Sequence, residues 1–220
     1  MKFLNTILAR SVWLFDIREL NPTGKDIGRD LVPWIADTYQ FADVPDILHP
    51  NASQVNPSGL TFERGRQSVN GQFVTINKLT IYDDGIVAEA AYATEDADAF
   101  CESLLAGASE KFDLSISDDL VRKRLYISEV IVRLEADFRD LSPKSLEFAK
   151  IIPKHGSRPF EFGGVSFWTD ADESGKHAVL RIERQVGREF AERRCFSHAS
   201  LQTQQHLALL ADFDALSNDG

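Results

Sequence analysis

Alternating apolar and polar positions mark the first element of this chain between Arg10 and Leu20. Val12 and Leu14 share one face of an extended segment, and Trp13, Phe15 and Ile17 share the other. A strand apolar on both faces is usually central in its sheet. Asn21-Pro22-Thr23-Gly24 then signals a turn. Leu31, Ile35 and Tyr39 repeat at helical spacing with Trp34 beside them, and Pro33 either falls in the first turn of a helix starting near Asp30 or kinks a longer one. Pro45, Pro50 and Pro57 make 42–58 a loop. Strands are expected over 59–66 and 72–82. Asp84-Gly85 between alternating runs is a hairpin signal, and a two-residue loop there pairs Ile81 with Ala88 and Leu79 with Ala90. Thr94 reads as the N-cap of a helix whose buried stripe is Ala97, Phe100, Cys101, Leu104, Leu105 and Ala108.

The remainder reads in the same order. A long strand covers 123–138. Ser142-Pro143 opens a helix that Pro153 stops. Strands follow over 159–168, 177–186 and 189–197, the last two hinged about Gly187. A closing helix runs from about Ser200 to Leu216, with Leu207, Leu210, Phe213 and Leu216 or their neighbours facing the core. The pattern β-α-β-β-β-α thus occurs twice, offset by roughly 100–115 residues, which suggests a pseudo-repeat. The fold class expected is α+β: largely antiparallel sheet with helices packed on one side, in two halves, 1–114 and 115–220, within one compact unit.

Four constellations deserve a chemical reading. Asp170, Asp172 and Ser174 reproduce the opening of a calcium loop, with oxygen ligands at alternate positions before Gly175. The twelfth position is Arg181 where a bidentate Glu is needed, and the flanks read as strands, so a solvated acidic loop is the simpler reading. Asp172 with Glu183 and Gln185 resembles, in outline only, a carboxylate pair holding a divalent metal in a hydrolase or nuclease. A stabilising Lys is absent, since Gln185 stands in its place. His177, His198, His206 and Cys195 are zinc-ligand types. Cys195 and His198 have odd separation and so face opposite ways on a regular strand. Finally, Arg181, Arg184, Arg188, Arg193 and Arg194 interleave with Glu183, Glu189 and Glu192. Cross-strand ion pairs account for them, or they form a docking face for an acidic partner.

Composition narrows the field. The 220 residues carry 24 Lys and Arg against 34 Asp and Glu, a net charge of −10, with 43 % hydrophobic residues. That much apolar material excludes dominant disorder, and no stretch is apolar enough for a membrane helix. Residues 1–110 hold 8 basic and 16 acidic side chains, whereas 111–220 hold 16 and 18. Such acidity disfavours nucleic acid as a partner. Cys101 and Cys195 are too few for a disulfide framework and read as buried residues of a reducing compartment. The N-terminus shows no secretory pattern, so a cytoplasmic protein is expected. Asn51-Ala52-Ser53 is then only a loop sequence.

No Walker loop, dinucleotide fingerprint, nucleophile elbow or zincin motif occurs. The expectation from sequence is a non-enzymatic interaction or assembly protein that self-associates or binds a protein partner, with no cofactor. The first alternative is the metal-dependent hydrolase centred on Asp172 and Glu183. The second is a small-ligand binding domain with an apolar cavity between helix and sheet.

Overall fold

The computed structural model describes residues 1–22, 24, 27–46, 59–69, 71–117, 119–138, 142–152, 161–170 and 178–216. The fold is α+β, with antiparallel strand pairing and helices packed against the sheet. The chain divides into a contiguous unit, Leu8–Ile127, and a composite unit made of Met1–Ile7 with Ser128–Gly220. Strands β1 (Lys2–Leu14) and β5 (Lys123–Arg133) both cross this division.

In the contiguous unit β1 is followed by a short helix α1 (Ile17–Leu20), α2 (Gly28–Tyr39), β2 (Leu60–Val69), β3 (Gln72–Tyr82), β4 (Gly85–Ala90) and α3 (Thr94–Phe112). Neighbouring strands run in the order β2-β3-β4-β1. The first strand begins eight residues before the alternation suggests and ends six earlier. Asp16 is the reason for the early end: its carboxylate accepts the Arg18 backbone N–H at 2.9 Å and starts α1. Helix α2 contains Pro33 in its interior and ends at Gln40, whose φ of 51° terminates it in the left-handed region.

The expected stripe of α3 is all buried, from Ala97 through Ala108. Its cap is Ala93, however, and Thr94 is the first helical residue, with no solvent exposure. Phe100 and Cys101 from α3, Ile35 and Tyr39 from α2, and Trp13, Ile76, Leu79 and Ala88 from the strands form one core. Both helices therefore lie on the same side of this sheet. Tyr39 meets Phe100 edge-on at 4.9 Å, and Phe41 packs between Phe62 and Phe100.

The opposite face carries a charged row across all four strands. Arg10 stands opposite Glu89, Glu89 opposite Lys78, and Lys78 opposite Glu63. Arg10 and Glu89 form a 2.6 Å ion pair, and Lys78 approaches Glu63 at 3.9 Å. Alternating signs at directly opposed positions stabilise the pairing by roughly 0.2–1 kcal/mol each.

The composite unit contains, in chain order, β5, α4 (Pro143–Ile151), β6 (Gly164–Trp168), β7 (Val179–Arg184), a 3-10 turn at Phe190–Glu192, β8 (Arg194–Ala199) and α5 (Thr203–Leu216). Its strands run β5-β8-β7-β6, so in each unit the first strand pairs with the last. Ser142 caps α4 through the Ser145 N–H. Val130, Val132, Ile182, Cys195 and Leu210 form the core, with Leu207 and Phe213 packed against it.

Two registers differ from expectation. The β3–β4 turn sits on Asp83 and Asp84, one residue early, so Ile81 faces Ile86 and Leu79 faces Ala88. Gly85 is the first strand residue and not part of the turn. Between β7 and β8 the 3-10 turn occupies residues that a tight hairpin about Gly187 would pair. Leu180 consequently faces Ala199 rather than Cys195, and Arg181 faces His198.

Candidate functional site

A wide recess of about 520 Å³ lies in the composite unit around Glu183, Arg184 and Phe190. Among the described residues of the contiguous unit, a narrower and more apolar cavity of about 380 Å³ lies between the sheet and its helices. The strands supply Leu60, Ile81 and Ile86, with Phe15 just beyond β1. Helix α2 supplies Leu31 and Ile35, and α3 supplies Leu104, Leu105 and Ala108. Ile17, Leu20 and Ile27 close one end, and Arg18, Asn21 and Gly24 also line the space. Arg18 has a side chain 87 % exposed and so marks the mouth.

The sequence makes this space by local means. Asp16 ends the extended run and turns the chain into α1, which directs Ile17 and Leu20 inward rather than along a strand. The α3 stripe is wide enough to cover the strands and leave Leu105 and Ala108 beside the void. A volume in the range of 300–1,000 Å³ with few polar groups is the common form of a small-molecule site. Among the described lining residues none is a nucleophile or proton carrier. The described lining is apolar, with one cation, Arg18, at the rim.

Two polar clusters lie outside it. In the contiguous unit the Asp98 carboxylate accepts from Ser11 Oγ at 2.8 Å and from Trp13 Nε1 at 2.6 Å. Arg124 lies over the Trp13 ring at 3.8 Å and reaches Asp98 at 3.4 Å and Glu102 at 3.2 Å. Every group in this cluster has a partner, so it ties α3 to the strands beneath it.

In the composite unit His206, with no solvent exposure, sits between two hydroxyls. Its Nδ1 is 3.0 Å from Ser128 Oγ and its Nε2 is 2.8 Å from Ser197 Oγ. Ser197 donates its own proton to the Arg181 carbonyl at 2.8 Å. That fixes the tautomer: Nε2–H donates to Ser197, and Ser128 donates to Nδ1. A serine activated for attack gives its proton to the imidazole. Ser197 does not, and Ser128, which does, is fully buried and so not presented to a substrate. Burial, together with the nearby His198, pushes the imidazole pKa down to about 4. Asp214 is also buried. Burial pushes its carboxyl up, but the N–H groups of Ala136 and Glu135 and the Met1 amine at 2.5 Å outweigh that and hold it below the ordinary value.

The residues singled out from sequence are only partly brought together. Asp172, Ser174 and His177 lie outside the described residues, and Asp170 is exposed. Glu183 is on the β7 face opposite Phe196, and Gln185 follows the end of that strand. Cys195 is buried on the helix side, where burial first and Asp214 second push its thiol up to about 12. His198 points the other way, 3.0 Å from Glu129. His198, His206 and Cys195 thus do not converge, and no group of three or more metal-ligating side chains occurs among the described residues.

Three of the five arginines, Arg184, Arg193 and Arg194, line one small pocket beside Phe190 and Cys195. Arg184 lies over Phe190 at 3.9 Å and donates to the Arg188 carbonyl. Arg193 donates to the Glu135 carbonyl, and Arg188 approaches Glu192 at 4.0 Å. Arg184 and Arg188 thus brace the β7–β8 connection, Arg193 ties it to the segment after β5, and Arg181 and Arg194 sit on β7 and β8. No protein-family model matches the chain, and no curated protein matches it either.

Sequence reasoning assigned nothing to Arg18 or Asn21, and Asp214 escaped it. The signal for Asp214 was its place on the Thr203, His206, Leu210, Asp214 stripe, which is buried although three of its four residues are polar.

Proposed function

We propose that the protein binds a small, largely apolar ligand in the cavity of the contiguous unit. The observation that carries this reading is the 380 Å³ space lined by aliphatic side chains from three helices and three strands. A ligand that fills an apolar space of this size gains packing contacts with its walls. Each methylene it buries contributes about 0.8 kcal/mol. The test uses N-phenylnaphthylamine, a neutral probe that fluoresces in apolar surroundings. The full chain is expected to bind it saturably, one probe per chain. Ala108→Leu and Leu105→Trp, which fill the space, are expected to weaken binding at least about tenfold. Absence of saturable binding to the wild-type chain, or unchanged binding by both variants, defeats the reading.

A second reading, self-association, draws on strand β6. It ends the strand order of the composite unit, and Phe167 and Trp168 there are 53 % and 61 % exposed. Aromatic residues on an end strand are a frequent feature of protein interfaces. A defined dimer in sedimentation that Phe167→Lys converts to monomer is the expected result, and a monomeric wild-type chain at micromolar concentration rules it out.

A further inference from the structure

We infer that the ligand is an amphiphile with a flexible aliphatic body and an anionic head, and that Arg18 holds the head at the cavity mouth. This rests on the cavity being a ligand site. The lining contains one charged side chain among the described residues, Arg18, and no carboxylate. A ligand cation would meet like charge at the rim and find no counter-charge among the described lining residues.

The guanidinium is also available. Its ion pair with Asp16 is long, 3.7 Å, and the closest approach is through Nε, which leaves the terminal Nη groups outside that contact. The Asp16 carboxylate is meanwhile engaged in capping α1, accepting the Arg18 backbone N–H at 2.9 Å. The planar fork of an arginine matches two oxygens of a carboxylate or a phosphate. The shared chemistry is an anionic oxygen pair, and both head groups present it. The body is assigned from the walls. Leu and Ile dominate them and Phe15 is the lone aromatic among the described lining residues, so there is no platform for a flat ring system.

The position of Arg18 follows from the same local event that forms the cavity. Helix α1 places Ile17 and Leu20 toward the void with Arg18 between them in sequence, exposed at its edge. One short helix thus supplies wall and head-group contact together.

The experiment is displacement of N-phenylnaphthylamine from the full chain by decanoate, decyl phosphate, decanol and decylammonium. Decanoate, decyl phosphate or both are expected to compete about tenfold better than decanol, with decylammonium weakest. Whichever anion is stronger identifies the head group. Arg18→Gln is expected to bring the anions to the level of decanol while leaving decanol itself unchanged, and Arg18→Lys to restore part of the difference. If the probe binds but decanol competes as well as both anions, or Arg18→Gln keeps the preference, the head-group inference is overturned and the cavity reading stands. If the probe does not bind the wild-type chain, or Ala108→Leu and Leu105→Trp both bind it unchanged, both fall.

Discussion

Lowering the pH from 7 toward 4 is expected to remove about 3 kcal/mol of stability through His206 alone. The imidazole is neutral in the fold, with a pKa held near 4, against 6.5 when the chain is unfolded. The unfolded state therefore takes up the proton first. The contribution is intact above pH 6.5, declines as pH falls below that value, and is fully lost near pH 4. Urea unfolding at several pH values measures it, with His206→Gln as the comparison. The variant keeps an amide in place of the ring but cannot titrate, so its stability is expected to fall less steeply over the same interval. Subtracting the two curves cancels the other histidines and the carboxylates. Parallel curves for wild type and variant defeat the expectation.

Gly85→Ala is expected to cost at least about 4 kcal/mol, among the largest effects of any single substitution here. Gly85 has φ of +150°, and a Cβ built on it falls 2.0 Å from the Trp13 carbonyl oxygen and 3.1 Å from the Leu14 Cα. Both are backbone atoms, so no side chain can turn aside. The surroundings are also pinned: Phe15 N–H donates to the Asp84 carbonyl and Ile17 N–H to the Asp83 carbonyl, each at 3.0 Å. Relief requires β1 and β4 to separate beside Trp13, which lies in the core. Gly71→Ala is the control. It too has positive φ, +79°, but its Cβ meets nothing within 4 Å, so only the backbone preference of roughly 1–2 kcal/mol is lost. Thermal unfolding followed by Trp fluorescence separates the two. Equal losses at both positions contradict the steric argument.

The elements with one dominant periodicity were legible in sequence. Strand β3 has the expected limits, and α3 buries each residue its spacing indicated. The apolar signal alone decides both. The errors lie where a polar side chain satisfies backbone or core groups. Asp16 capped a helix inside what alternation read as strand. The closing helix was read from its leucines, yet Leu216 is 78 % exposed while His206 and Asp214 are buried, because hydroxyls and N–H groups wait for them there. The register of β7 and β8 depends on a 3-10 turn whose capping box, Glu189 with Glu192, is a local motif, but one outweighed by the expectation of a tight turn at Gly187. A cavity between helix and sheet was one of the alternatives from sequence. Its place, volume and the rim position of Arg18 depend on how the α1, α2 and α3 side chains meet, which no single segment encodes.

The hydroxyl–imidazole–hydroxyl chain has one more consequence, for the accuracy of folding. Side chains on a strand alternate between faces, so a slip of β8 by one residue exchanges everything it presents. Such a slip would turn Ser197 away from the helix and bring Phe196 or His198 under His206 instead. An all-aliphatic interior would accept Phe196 with little complaint. The imidazole does not, because its two nitrogens each require a partner and only the native alignment offers Ser128 and Ser197 at once. His206 thus works as a key that only one alignment of β5 and β8 will fit, excluding misthreaded sheets that hydrophobicity alone would tolerate.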